Sequence, residues 1–328
     1  MSGPEAATAR AAGRPRGRAW LLALGVGVLV AILLANDVRA IFHALIEARF
    51  AIVPIVAAHL LVTMAAAQGW RVLLPRPQRP GFVTSFRLRL IKESVNGLLP
   101  VAQVGGDVVR ARLAVGPHLP LRTSAASCLL DVLVGLACLA FFILAGLLAA
   151  AIVLSDPRLD RLAVQLAIAG GLVTLCVVAG ERVGVLRLLD RITAKSEGAL
   201  GRLSGFGAEM ARLGVRKGPL AASALWHLAS WVLGVLETWI ALRALGAEAG
   251  LGQAFVLESL AQGVRAIGFA VPGALGVQEG GYLLICAALG VPAEQAVALS
   301  LIRRLRELAL GLVGLGLWRF RTPELPPE

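Results

Sequence analysis

The sequence predicts an all-α fold, a polytopic transmembrane helix bundle of about six full spans plus two broken or re-entrant segments. Three observations predict it. Apolar residues make up 58% of the chain and charged residues only 16%, with a mean hydropathy of +0.79. That is too little charge to coat a water-soluble globule of 328 residues. The apolar residues also fall in blocks, several longer than the roughly 18 residues that cross a hydrocarbon core as a helix. Finally, basic and neutral connections alternate between the blocks, as a threaded chain requires.

The first block covers residues 20–35 and follows Arg10, Arg14, Arg16 and Arg18. A cleavable signal peptide is the alternative there, with Val38-Arg39-Ala40 as its processing site, although the run is long for one. Further blocks cover residues 51–74, 123–154, 162–179, 219–245 and 293–318. The third is long enough to span with tilt.

The connection at 71–92 carries Arg71, Arg76, Arg79, Arg87, Arg89 and Lys92 with no acid, and 181–217 is also basic. The connections at 37–49, 156–161 and 243–248 each balance to zero. Both termini are therefore expected in the cytoplasm, and the Arg-dominated, Ala/Gly/Leu/Val-rich composition points to the inner membrane of a GC-rich bacterium. The predicted organisation is a basic cytoplasmic tail (1–18), one membrane domain (19–318) and a short cytoplasmic tail (319–328). Within the membrane domain, the cytoplasmic segment 181–217 reads equally as an amphipathic surface helix or a solvated hairpin.

The net charge of +12 reads, in so apolar a chain, as loops facing anionic lipid rather than nucleic acid. Cys128, Cys138, Cys176 and Cys286 sit in apolar runs and read as buried free thiols. His43, His59, His118 and His227 are scattered and form no ligand set. There is no Walker loop, dinucleotide fingerprint, zinc-protease motif or nucleophile elbow. We expect no cofactor, no metal and no enzyme activity, so any transport is passive, ion-coupled or driven by a partner.

Two stretches depart from simple spans. The first reads from Lys92-Glu93-Ser94 through Asn96, Leu99-Pro100 and Gly105-Gly106-Asp107 to Arg110 and Arg112. The second begins at Glu258-Ser259, passes Gln262 and Arg265, and continues Pro272-Gly273-Ala274-Leu275-Gly276-Val277-Gln278-Glu279-Gly280-Gly281. Each has a Glu-Ser pair, a proline, an acid seven places after that proline, and a glycine pair beside the acid. Proline lacks a donor and glycine resists ordering, so both stop helices. In lipid such breaks persist only where protein or water covers the freed backbone. Matching broken segments that enter from opposite sides point to inverted repeats with a binding site between them. The plainer alternative is close helix packing at the glycines and a tolerated proline kink.

Charges at membrane depth support a polar interior, since each costs roughly 2.5–3.5 kcal/mol on insertion scales. They are Asp131, Glu237, Glu258, Arg265, Glu279, Arg303, Arg304, Arg306 and Glu307. Arg303 and Glu307, four apart, are expected to pair along one helix face. Arg304 is expected to meet a phosphate or a broken-segment acid. Snorkelling to an interface is the alternative for Arg304 and Arg306, and for Asp131 snorkelling or pairing within the bundle.

At these motifs the chain resembles the lysylphosphatidylglycerol synthase transmembrane-region family, the flippase-like domain. The residues that carry the resemblance are Asn96, Leu99-Pro100, Gly105-Gly106 and Asp107, then Pro272, Gly273, Gly276, Glu279, Gly290 and Arg303 or Arg304. The stretch 93–112 is most similar to the branch associated with hopanoid biosynthesis. The resemblance implies a bundle that binds or moves amphipathic lipids. Members that make aminoacylated lipid carry a soluble catalytic domain after the bundle. This chain stops ten residues past Trp318, so synthase activity is not expected.

The expected substrate-binding set is Glu93, Asn96, Pro100, Gly105, Gly106, Asp107, Arg110, Glu258, Gln262, Arg265, Pro272, Gly276, Glu279, Arg303, Arg304 and Glu307. Membrane lipids are the expected partners. A scaffold for a lipid-modifying enzyme and an intramembrane transferase using Glu279 or Asp107 as base are the competing readings.

Overall fold

The computed structural model describes residues 38–99, 104–154, 205–267 and 276–320. The first and fourth apolar blocks, most of segment 181–217, Cys176, Pro100 and Pro272 lie outside the described residues. Helices account for nearly all of the rest, and among the described residues there is no β-strand. In chain order they are α1 (Val38–Glu47), α2 (Ile52–Leu73), α3 (Phe82–Leu98), α4 (Gly105–Leu113), α5 (Leu121–Leu154), α6 (Phe206–Gly214), α7 (Lys217–Ala244), α8 (Leu251–Ile267), α9 (Val277–Ala288) and α10 (Ala293–Arg319).

Four apolar blocks thus become α2, α5, α7 and α10 with ends within a few residues of those expected. The first three are long and apolar enough to cross a membrane. Their outward faces are hydrocarbon, with Phe141, Leu148, Ile152 and Val232 exposed. Such a surface is stable in lipid and a liability in water. α10 has the length of a span but carries its charges in mid-helix, which lowers its hydropathy without shortening it.

Both broken segments fold back as helical hairpins. Helix α3 ends at Leu98, and α4 begins at Gly105 and runs back antiparallel along it. The Gly106 N–H donates to Asn96 Oδ1 at 2.7 Å. A Cβ on Gly106 would collide with the Lys92 carbonyl. Helix α4 then returns to the end of the bundle where it set out, since Ala111 and Leu119 pack with Trp70 and Leu74 of the α2 terminus.

The second hairpin repeats this design from the other end. Helix α9 folds back on α8, with Gly281 against Val264, where a Cβ would lie 2.7 Å from a methyl carbon. The Gln253 side chain donates to the Leu289 carbonyl at 3.2 Å, which holds the open ends together. Helix α9 stops at Gly290, whose φ of +73° an L side chain rarely adopts. The hairpins insert from opposite ends of the bundle because α2 and α7 are antiparallel: Arg216, just before α7, donates to the Leu73 carbonyl at 3.0 Å. The first hairpin packs at that end. The second packs with Leu242 and Leu245 at the far end of α7.

Each hairpin also docks on the long helix of the opposite half. Ser94 of α3 sits against Gly314 of α10, and Ser259 of α8 sits against Gly146 of α5. In both cases a Cβ on the glycine would overlap the serine hydroxyl. These are the serines of the two Glu-Ser pairs. In lipid, where burial alone gives no drive for helix association, such small-residue contacts let backbones approach and pack.

This contact generates a test. Gly146→Ala should destabilise the bundle by about 1–3 kcal/mol through overpacking, read as a lower melting temperature in detergent. Ser259→Gly in the same chain should recover most of that loss. A double variant no more stable than Gly146→Ala alone would show that the serine is not what the new methyl meets.

Candidate functional site in the charged interior

The densest polar stretch of the membrane region is one turn of α10, Arg303-Arg304-Leu305-Arg306-Glu307. Its residues reach different neighbours because successive positions on a helix point about 100° apart. Arg303 is buried and lies 2.5 Å from Glu258 of α8. It also donates to Thr238 of α7, whose hydroxyl donates to Glu258 at 2.5 Å. Gln262, one turn beyond Glu258, donates to the other carboxylate oxygen at 2.7 Å. The guanidinium of Arg303 lies over the Tyr282 ring, 5.4 Å from its centroid.

Arg304 reaches Glu279 of α9 at 3.0 Å and Glu307 at 3.2 Å. The second oxygen of Glu279 accepts the Gly276 N–H at 2.7 Å, so this carboxylate caps the first turn of its own helix. Arg306 pairs with buried Glu237 of α7. Glu307 accepts from Arg265 of α8 at 2.7 Å.

Two expectations are corrected here. Arg303 and Glu307 do not pair with each other, because Arg303 faces the deeper carboxylate of Glu258 while Glu307 faces Arg265. Arg306 does not snorkel: it is 4% exposed, and Glu237 holds it in the bundle. A buried carboxylate within reach outweighs the gain from extending to an interface. Arg304 meets a broken-segment acid, one of the two partners expected for it.

A second cluster gathers around Asp131 of α5, which is 1% exposed. Arg110 of α4 lies 2.8 Å from one carboxylate oxygen, with Arg89 of α3 at 3.9 Å. The His227 ring of α7 is 2.9 Å from the other oxygen. Asp131 is therefore paired within the bundle and does not snorkel. Arg110 also reaches Asp107 at 2.9 Å and lies over the Trp70 ring at 4.9 Å. Asp107 pairs further with Lys92 at 2.9 Å, and Glu93 accepts from Arg89 at 2.6 Å.

Helix α2 joins the two clusters. His59 Nδ1 lies 3.0 Å from Glu237, and Thr63, one turn on, donates to Glu93 at 3.2 Å. Each cluster is balanced in formal charge. Arg89, Lys92 and Arg110 face Glu93, Asp107 and Asp131. Arg265, Arg303, Arg304 and Arg306 face Glu237, Glu258, Glu279 and Glu307.

Of the expected set, the structure brings Glu258, Gln262, Arg265, Glu279, Arg303, Arg304 and Glu307 into one cluster, with Gly276 supplying the N–H that fixes Glu279. It brings Glu93, Asp107 and Arg110 into the other, with Asn96, Gly105 and Gly106 shaping the hairpin that carries them. Pro100 and Pro272 are outside the described residues. Sequence reasoning left out His59, Thr63, His227 and Thr238, and took Asp131, Glu237 and Arg306 only as charges at depth. The signal available for the histidines was a lone ring in an otherwise apolar span, which gains meaning only once its carboxylate partner is known. Among the described residues no group of three or more His, Cys, Asp or Glu side chains is placed to hold a metal ion.

Two opposed helical hairpins around a charge-balanced interior define a class, the polytopic α-helical membrane proteins with an internal polar site. The family follows from the sequence: residues 20–314 match the family Lysylphosphatidylglycerol synthase TM region, and the chain belongs to it. It is thus a membrane protein of a family with a lipid-related function. No curated protein and no solved structure matches the chain.

Removing one partner of a buried pair is the sharper perturbation. Glu237→Leu should cost about 3–5 kcal/mol by removing the near partner of Arg306, which keeps only the more distant Glu307 at 3.8 Å, and Arg306→Met should cost a similar amount. The double variant should be more stable than either single one. Additive losses in thermal unfolding would rule out the coupling.

Proposed function

We propose that the protein moves a lipid across the bacterial inner membrane. The headgroup passes through the charged interior between the two hairpins while the chains remain in hydrocarbon. One observation carries this reading. The acids at the hairpin turns, Asp107 and Glu279, each hold an accessible cation and a second, fixed partner. Asp107 is held by Lys92 and by Arg110, and Glu279 by Arg304 and by the Gly276 N–H. Lys92 and Arg304 are partly exposed, at 12% and 17% of the side chain, whereas Arg110 is at 0%.

A headgroup phosphate can therefore take Lys92 or Arg304 without stranding a buried carboxylate. This avoids the penalty that ordinarily keeps buried pairs closed. Arg265 and Glu307, also partly exposed, add one donor and one acceptor beside Arg304. In the deep pairs Arg303–Glu258 and Arg306–Glu237 the cations are buried, each at 5% of the side chain, and these pairs serve as the frame.

The basic connections support a cytoplasmic position for both termini and for the open end of the α3–α4 hairpin. We read the protein as a carrier rather than an enzyme, with a hopanoid or a phospholipid as the cargo class. A lipid-biosynthetic enzyme is the partner we would seek first. Proteoliposomes holding a fluorescent phospholipid in one leaflet test the central claim. Glu279→Gln and Asp107→Asn should each slow translocation by about tenfold or more, the scale of a charge-assisted hydrogen bond. Wild-type rates in both variants would remove these residues from the pathway.

A further inference from the structure

Away from the charged interior, the outer surface holds an apolar groove between α2 and α7. It is lined by Leu61, Met64, Ala65 and Gln68, with Trp226 and Leu233 across it and Arg71 and Phe82 at one end. Its α2 stripe, from Leu61 to Arg71, rises about 15 Å along the helix. That is roughly half the hydrocarbon thickness, or one leaflet.

The charged end of the groove is built by the terminus of α2. The last carbonyls of a helix have no partner within it. Here guanidiniums take them. Arg79 donates to the Val72 carbonyl at 3.2 Å and to the Leu74 carbonyl at 3.0 Å, and Arg216 donates to the Leu73 carbonyl at 3.0 Å. Arg71 is fixed beside them by donation to the Pro80 carbonyl at 2.9 Å.

Arg76, in the short 3-10 turn that follows, is exposed. Burial, then the like charges of Arg71, Arg216 and Arg76, holds the Arg79 pKa below its ordinary value. Among the described residues, none of these four arginines has a carboxylate within ion-pair distance. Glu209, on the neighbouring helix α6, is taken by Arg212 at 2.8 Å. This is the reverse of the interior, where the clustered cations are matched by acids.

We propose that this groove is a binding site for an anionic phospholipid of the adjacent leaflet, with its phosphate on Arg71 and Arg76 and a chain lying along Leu61 to Leu233. Charge complementarity selects the occupant. Uncompensated guanidiniums fix a phosphate by paired donors, and the apolar stripe one leaflet long continues from them in the direction a chain takes. A zwitterionic lipid brings its own cation to the cluster and is the poorer fit. The site is separate from the proposed translocation pathway, so it stands or falls independently of it.

The test titrates the purified full chain in neutral detergent with phosphatidylglycerol, with phosphatidylcholine of the same chains, and with inorganic phosphate. Bound lipid is counted by native mass spectrometry. Phosphatidylglycerol should bind at about one per chain and about tenfold more tightly than phosphatidylcholine, the margin of a charge-assisted contact. The double variant R71Q/R76Q should abolish that preference. Neither replacement touches the helix-capping arginines, so folding is expected to survive, and an unchanged melting temperature without lipid checks this. Leu61→Trp, at an exposed position, should fill the groove and weaken phosphatidylglycerol binding while leaving the arginines intact. An unchanged preference in R71Q/R76Q, or equal affinity for both lipids in the wild type, overturns the proposal. Binding of inorganic phosphate together with an unaffected lipid titration in Leu61→Trp would make this a phosphate site and not a lipid site.

Discussion

One turn of α10 determines how the second half of the bundle is put together. A guanidinium in hydrocarbon must have an anion beside it, because an unpaired buried charge costs several kcal/mol. Arg303, Arg304 and Arg306 sit within four positions, so they point to different helices and each demands a carboxylate there. Glu258 answers on α8, Glu279 on α9 and Glu237 on α7. Displacing any of these helices would open a pair in a low-dielectric interior. Asp131 does the same work with opposite sign in the first half, drawing Arg110 from α4 and His227 from α7. Hydrophobic surface cannot supply this specificity in a membrane, since lipid tails compete with every apolar side chain. The charges fix the arrangement.

The Glu-Ser pairs show how the same helices meet both demands, a polar interior and a tight exterior. Adjacent residues on a helix face directions about 100° apart. Glu93 turns towards Arg89 and Thr63, while Ser94 turns to the backbone of α10 at Gly314. Glu258 turns towards Arg303, while Ser259 turns to α5 at Gly146. One two-residue unit therefore points an acid into the site and seats its helix on the opposite half. Its use twice, on hairpins that insert from opposite ends, is the feature the two halves share.

This explains which features could be read in the sequence. Spans α2, α5, α7 and α10 were legible because length and hydropathy are properties of one segment. The two breaks in helix were legible in outline, and the order of basic and neutral connections gave their opposite entry. The glycine pairs, however, do not stop helices: Gly105-Gly106 open α4 and Gly280-Gly281 lie within α9. There Gly106 and Gly281 serve close packing, the plainer of the two readings. That the helices of residues 253–290 lie against each other was not legible. The hairpin rests on Gly281 meeting Val264 and on Gln253 meeting Leu289. The ion pairs were harder still. Arg303 has an acid at the right helical spacing in Glu307 and yet pairs with Glu258, 45 residues away in sequence. Local spacing predicts a pair only when no deeper carboxylate competes. His59 and His227 were missed for the same reason, since their partners Glu237 and Asp131 lie on other helices.

The balance of charge in the interior bears on how a site built this way can work. A cluster with a surplus of either sign would hold a counter-ion or an oppositely charged ligand too well to release it. Here the acids and bases of each cluster are matched at rest, so under the proposed function an incoming headgroup would have to exchange partners rather than fill an empty demand. Exchange is easier where the cation is partly exposed and the acid keeps a second partner, as at Asp107 and Glu279, than in the deep pairs, whose cations are buried. Helix α2 adds a constraint on how the two exchanges are related. His59 touches Glu237 in one cluster, and Thr63, a single turn away, touches Glu93 in the other. A shift of α2 large enough to break one contact must strain the other. If a headgroup opens the pairs at one hairpin, this helix is the shortest physical path by which the other hairpin would feel it.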